Sequence, residues 1–451
     1  MILSLLSLGC EPADDSAAAA DFEAEASLSE SMPTAMTVRW STDAAATSRV
    51  EWGTGSHYGE VVALDGTRTE HAVAVAGMPA GTAIHWRAIS EIDGETVSSG
   101  DQVLQTGAMP NDLPVLTVES AEPVRAGSGF VLGYTVGSDT SVILFDHKGN
   151  PTWWWRDDNP NFMPNQVRVS RDQRGIMFSA SSYDREEELG AIYQISWTGE
   201  ILETTIAPNS HHDFIEHEDG TLAYCAMDIR EVGDQSIVGD AIVEIPPGGN
   251  AETDAVVVWT SWDDLPMTAT EAGDSGYYPY GLDWIHCNGL SYNEDENDYF
   301  MSSYALKTVM RIDRAEGKLE WSFGGDASDF ELSRQDAFAH AHSPTYSDGT
   351  LWLFDNGGQG GTAPSRAVAY TLDETTMTAE ESWSFDAGGA YSSSILGDVE
   401  LVDGGYLMAW GLGGAWQEVD ADGNATWTGS APIGVASGFS VKVATAGGPA
   451  E

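Results

Sequence analysis

Three histidine motifs hold most of the side chains in this chain that could make or break a bond. They are His211-His212-Asp213-Phe214, Asp283-Trp284-Ile285-His286-Cys287-Asn288, and His340-Ala341-His342 followed by Phe354-Asp355-Asn356-Gly357. Five of the ten histidines stand in these three places. Imidazole serves as nucleophile or proton carrier near neutral pH, so such a set suits group transfer with general acid–base help. The motifs lie roughly 70 and 55 residues apart, too far for one zinc finger or one helix face. No local metal-ligand spacing accompanies them. The Gly-rich stretch Gly357–Gly361 is followed neither by Lys-Ser nor by a helical pattern, so it reads as a loop and not as a phosphate cradle. The sequence therefore points to no metal and no cofactor.

Residues so far apart meet only if the fold gathers them. From residue 115 onward a theme recurs: a strand, a polar Gly or Asp turn, then a second strand that usually carries Trp. Its six occurrences are Gly149–Trp153, Gly199–Thr204, Val256–Trp259, Gly317–Trp321, Glu380–Trp383 and Gly423–Trp427. Repeats of this length built from short strands read as propeller blades. A second series, Glu218–Leu222, Ser347–Leu351 and Val402–Tyr406, places an Asp-Gly turn before an apolar strand, which is a hairpin signal. The histidine motifs open segments in the third, fourth and fifth units, and equivalent positions in successive blades face one channel mouth. The predicted fold is all-β: a six-bladed propeller over 115–445, preceded by a small β-sandwich.

That sandwich is read over 32–107. The alternating runs Thr37–Trp40, Ser48–Trp52, His71–Val75 and Ile84–Ala88, separated by Gly and Asp turns, resemble a fibronectin type III module. Residues Met109–Pro114 read as a linker. At the N-terminus the apolar run Met1–Gly9 stops at Cys10, which resembles a bacterial lipoprotein signal over 1–10 with Cys10 as the lipidated residue. Residues 11–31 read as an acidic, Ala-rich tether. This predicts an extracytoplasmic protein, lipid-anchored to a bacterial membrane at the periplasm or cell surface. Cys225 and Cys287 each belong to a histidine-motif segment, so a disulfide and a pair of free thiols are both open.

The charge balance is 19 basic against 71 acidic residues, a net charge of −52. Nucleic acid is excluded as a partner, because phosphate neutralisation needs Lys and Arg. Electrostatic adsorption to anionic lipid is excluded likewise, so contact with a membrane would come only through the lipid anchor. A field this negative is tolerated where salt shortens its range, which suggests a saline or exposed extracytoplasmic setting.

Taken together, His-His-Asp-Phe before an Asp-Gly hairpin, Asp283–Tyr292 followed by Tyr299–Ser303, and His340–His342 before Leu353–Gly357 and Ser365-Arg366 resemble the bacterial arylsulfate sulfotransferases that use no nucleotide donor. The resemblance covers about 200–415. It implies an aryl sulfate donor, a phenolic acceptor and a ping-pong route through a sulfohistidine. Residue by residue, the nucleophile corresponds to His342 or His340, with His342 preferred. His286 and His212 correspond to the further catalytic histidines, and Asn288 and Arg366 to substrate-binding positions. One departure stands out. The family carries an arginine shortly after the Ser-Ser of the second motif, where this chain has Tyr304. A phenol supplies one neutral donor where a guanidinium supplies a charged fork. Tyr304 is expected to face the cavity of His286, and strand alternation to turn Lys307 to the opposite face. Two functions follow: an exported arylsulfotransferase, or a catalytically lapsed propeller that acts as a surface-tethered binding or scaffold protein.

Overall fold

The structure is a computed structural model that describes residues 21–120, 128–137, 140–157, 162–182, 190–265, 281–332, 337–358 and 363–450. The signal-like segment and Cys10 lie outside the described residues, as does most of the expected tether. The part of that tether that is described is not structureless. Ala24–Leu28 is a strand, paired antiparallel with Met36–Gly53 so that Ala24 faces Trp40 and Leu28 faces Met36. The composition hid it, because its alternation is short and built on Ala.

Six blades form a closed propeller. The second to fifth blades run in simple order from the channel outward, over 162–206, 210–260, 287–323 and 341–385. The sixth runs over 398–430 and gains Thr117–Ser120 on its outer edge. The first blade takes Phe130–Val136, Ser141–Asp146 and Pro151–Trp155 from the N-terminal side and its channel strand, Ala436–Val443, from the C-terminal side. The ring is thus fastened twice by strands from opposite ends of the chain, which removes the open edges a sheet would otherwise expose.

Sequence position within a blade explains the repeats. The Trp-bearing segments are the fourth strands counted from the channel, and Trp153, Trp259, Trp321 and Trp427 are buried. The Asp-Gly turns join each channel strand to the second strand. Middle strands such as Asp298–Ser303 are buried on both faces. Outer strands such as Thr378–Phe385 alternate between buried and exposed positions.

Before the propeller lies a sheet of seven strands, five of them in the order Gly447–Pro449, Glu60–Val75, Met36–Gly53, Ala83–Ile92, Glu95–Ser98. The expected sandwich is one continuous hydrogen-bonded sheet, because its two longest strands carry through register breaks around Ala46. Trp40, Trp52 and Trp86 fill its core. That core is contiguous with Phe130, Leu132, Trp153 and Trp197 of the first two blades. Thr34 Oγ1 donates to Thr152 O (2.6 Å) and Ser29 Oγ to Thr198 O (2.6 Å), and the last strand of the chain pairs with this sheet.

Candidate active site

Channel strands enter the propeller through bulges. In five of the six, the register slips near the cavity: between Gly438 and Ser440, Pro164 and Gln166, Ser210 and Phe214, Cys287 and Gly289, and His342 and Thr345. A bulge bends a strand and re-aims the side chains beside it. In or directly beside these bulges lie non-glycine residues in the left-handed region: His212 (φ 57°), His286 (φ 54°), Ser343 (φ 49°) and Phe439 (φ 26°). Such conformations persist only where the surroundings hold them, and they cluster at functional sites.

These turns bring His212, His286, Asn288, Tyr304 and His342 onto one cavity of about 190 Å³. The opposite wall is mainly apolar: Tyr134, Val136, Met163, Pro164, Leu396 and Phe439. Among the described residues no lysine or arginine lines the cavity.

Each ring is fixed from behind. His342 Nδ1 lies 2.6 Å from Asn356 Oδ1, and Asn356 Nδ2 donates to Leu396 O (2.7 Å). The amide's own donor is thereby used, so Oδ1 is the acceptor and Nδ1 of His342 carries the proton. Nε2 is left as the lone-pair nitrogen of a ring that lines the cavity. Burial pushes the imidazole down to about 3, so it is neutral at ordinary pH. His286 Nδ1 meets Asp283 Oδ2 at 2.5 Å. His212 Nδ1 meets His211 Nδ1 at 2.8 Å, and His211 Nε2 meets Asp240 Oδ1 at 2.9 Å. Burial and the neighbouring rings His286, His211 and His342 hold His212 well below the usual imidazole range. His212 and His286 pack edge to face, with centroids 4.9 Å apart. Asn288 is 2% exposed, and its Nδ2 has no hydrogen-bond partner among the described residues. A buried amide donor left unpaired costs about 1–3 kcal/mol, which suits a group awaiting a ligand oxygen.

Of the expected site residues, His340 and Arg366 stand off the cavity. The His340 ring lies flat against Tyr304 (4.1 Å, 15°), with Nδ1 3.4 Å from Tyr304 O. Burial lowers its pKa. Arg366 is spent within the fifth blade on Asp355 (3.2 Å), Glu381 (2.9 Å) and Ala337 O (2.9 Å). Tyr304 faces the cavity beside His286, as expected, with ring centroids 5.4 Å apart. The alternation argument for Lys307 fails, because Tyr304 and Lys307 lie in the turn between two strands, with Lys307 at φ 56°. Asp213, beside His212 in sequence, turns away to Arg168 (3.0 Å), Phe214 N (2.8 Å) and Leu290 N (2.9 Å).

The sequence did not reveal the residues that orient the rings. Asp283 and Asn356 stand inside the quoted motifs, so Asp-x-x-His and Asp-Asn-Gly were usable signals. Asp240 had none, being 29 residues from His211 and on a different strand. Cys225 and Cys287 are joined as a disulfide that links the third and fourth blades directly beside His286 and Asn288.

Comparison with known proteins adds the family. The family model described as arylsulfotransferase (ASST) matches residues 115–426. No curated protein matches the chain. Among solved structures, a Bacteroides thetaiotaomicron protein of unknown function is 13% identical, with a TM-score of 0.38 over 92% of this chain and 100% of that one. The Cps50 (Swd1) β-propeller domain of Myceliophteria thermophila is 10% identical, with a TM-score of 0.40 over 70% and 90%. A nidogen/laminin complex chain is 14% identical, with a TM-score of 0.36 over 67% and 90%. At these scores none of the three bears on function.

Proposed function

The chain belongs to the arylsulfotransferase family, and from that premise we propose that it moves a sulfuryl group from an aryl sulfate to a phenol through a sulfohistidine at His342. The observation that carries this reading is the pairing of His342 with Asn356. It presents a neutral, buried Nε2 as the one nitrogen of that ring free of the amide. In the first half-reaction Nε2 attacks sulfur, the S–O(aryl) bond breaks, and the phenoxide leaves with a proton from a cavity imidazole. In the second, a phenol gives up its proton, attacks the same sulfur and frees Nε2. Asn356 is a neutral partner. An aspartate there would stabilise the cationic sulfo-imidazole and make it a poorer leaving group. Asn288 Nδ2 supplies a donor for the sulfuryl oxygens, and the wall of Val136, Met163, Leu396 and Phe439 takes the aryl ring.

Export and lipidation at Cys10 belong to the same proposal. The Cys225–Cys287 bond supports an oxidising compartment. Tyr304, in a cavity lined by no Lys or Arg among the described residues, favours a second reading, a lapsed enzyme that keeps the channel for binding. Intact-mass measurement after incubation with 4-nitrophenyl sulfate separates the two. The proposal expects the mass of one added sulfuryl group on the wild type and none on His342→Asn. An unchanged wild-type mass, with no nitrophenol released in the presence of a phenol acceptor, overturns it in favour of binding.

A further inference from the structure

We propose that Asp240 and His211 form a proton relay behind His212, making His212 the acid of the first half-reaction and the base of the second. The inference rests on the sulfuryl-transfer reading above and assigns roles to two residues that do not line the cavity.

Asp240 is fully buried. Its Oδ2 accepts the Cys287 amide (2.7 Å), and its Oδ1 faces His211 Nε2 (2.9 Å). A carboxylate withdrawn from water requires donors, so His211 Nε2 carries a proton. The two Nδ1 atoms of His211 and His212 stand 2.8 Å apart. Two lone pairs cannot face each other at that distance, so the rings share one proton between them. Its position decides what His212 offers the cavity. With the proton on His211, that ring is an imidazolium against Asp240, and His212 shows an Nε2–H. With the proton on His212, His211 is neutral, and His212 shows a bare Nε2.

The two states match the two half-reactions. As the S–O(aryl) bond breaks, the phenoxide takes the Nε2 proton of His212. The Nδ1 proton of His211 moves across to His212, and His211 is left neutral. In the second half the acceptor phenol gives its proton to His212 Nε2. The Nδ1 proton returns to His211, and the phenoxide attacks sulfur as the S–N bond to His342 breaks. No proton is gained or lost over the cycle. The positive charge rests on His211 beside a buried anion, one ring back from the cavity, so it does not burden His286 and His342, which stand close to His212. His286 has a carboxylate of its own in Asp283, and Asp213 is committed to Arg168 and Leu290 N, so neither takes part in this chain.

The experiment compares kcat/KM on two donors with a common phenol acceptor for the wild type, His211→Gln and Asp240→Asn. The donors are 4-nitrophenyl sulfate, whose phenoxide leaves without a proton, and phenyl sulfate, whose phenoxide needs one. The relay predicts that both variants lose about 10²-fold or more on phenyl sulfate, the usual range for a lost general acid. On 4-nitrophenyl sulfate they should stay within a few-fold of wild type and still gain the sulfuryl mass. Asp240→Asn keeps an acceptor for the Cys287 amide, so it serves if His211→Gln does not fold. Equal losses on both donors would mark these residues as structural and overturn the relay. So would no loss on either. A wild type that forms no sulfo-enzyme overturns the sulfuryl reading and the relay with it.

Discussion

His342 is distinguished from His340, two residues away, by what stands behind each ring. Asn356 fixes the first and leaves its Nε2 for the cavity, while Tyr304 covers the second. Tyr304 also marks the weakest point of the site, since the resemblance implies an arginine at this position and no Lys or Arg among the described residues lines the cavity. A charge-assisted hydrogen bond contributes roughly 1.5–3 kcal/mol against about 1 for a neutral one. Tyr304→Arg should therefore raise kcat/KM on a chromogenic aryl sulfate about tenfold, since about 1.4 kcal/mol is a factor of ten in rate. Arginine also stacks on a ring, so the contact with His340 can be kept. A variant slower than an active wild type would show that the phenol has a role of its own.

At the scale of the strand, the site depends on how closely neighbouring channel strands approach. Asn288 and His342 sit on adjacent channel strands, and Gly289 lies at their point of contact. A Cβ on Gly289 would fall 2.8 Å from both Ser343 N and Pro344 Cδ. Gly289→Ala must push the fourth and fifth blades apart at the bulges that aim His286 and His342. Overpacking of this kind costs about 1–3 kcal/mol. Because cavity-lining groups on both strands shift, kcat should fall by more than the loss in Tm suggests, on the order of 10²-fold for a displacement near 1 Å. Thermal melts and turnover of the same preparation check this. Activity retained alongside a lowered Tm would show that the strand spacing is not critical to the chemistry.

At the scale of the whole molecule, the excess of acidic side chains is not all surface. Asp213, Asp240 and Asp398 are buried and accept backbone N–H groups from the next blade: Leu290, Cys287 and Ser440. They act as acceptors that tie neighbouring blades together. Glu400 does the same for Lys442 N (2.6 Å), and desolvation pushes its pKa from 4.5 up to about 8. Its folded form therefore holds a proton that the unfolded chain gives up above 4.5. Between about pH 4.5 and 8 the unfolded state binds fewer protons than the folded one, so this group's contribution to stability falls as pH rises. Glu400→Gln keeps an acceptor and removes the titration. The variant's Tm should gain on wild type steadily from pH 5 to pH 8. A difference that does not change with pH would remove Glu400 from the account.

The sequence by itself determined most of the strands, the number of blades and the types of the polar side chains that line the cavity. Alternation, Asp-Gly turns and recurring Trp are local patterns, and local patterns survive without knowledge of partners. It also determined that the three histidine motifs share a place in successive blades, because each opens the strand that lies nearest the channel. Only the tertiary structure decided which side chains work together. Asp213 adjoins His212 in sequence yet serves Arg168, while Asp240, on another strand, completes the pair His211–His212. Arg366 was a fair candidate for binding an anion until Asp355 and Glu381 proved closer. Hydrogen-bond partners in a propeller come from strands across a blade or from the blade beside it, and the bulges that aim the rings depend on register. Neither is written in the spacing of residues along one strand.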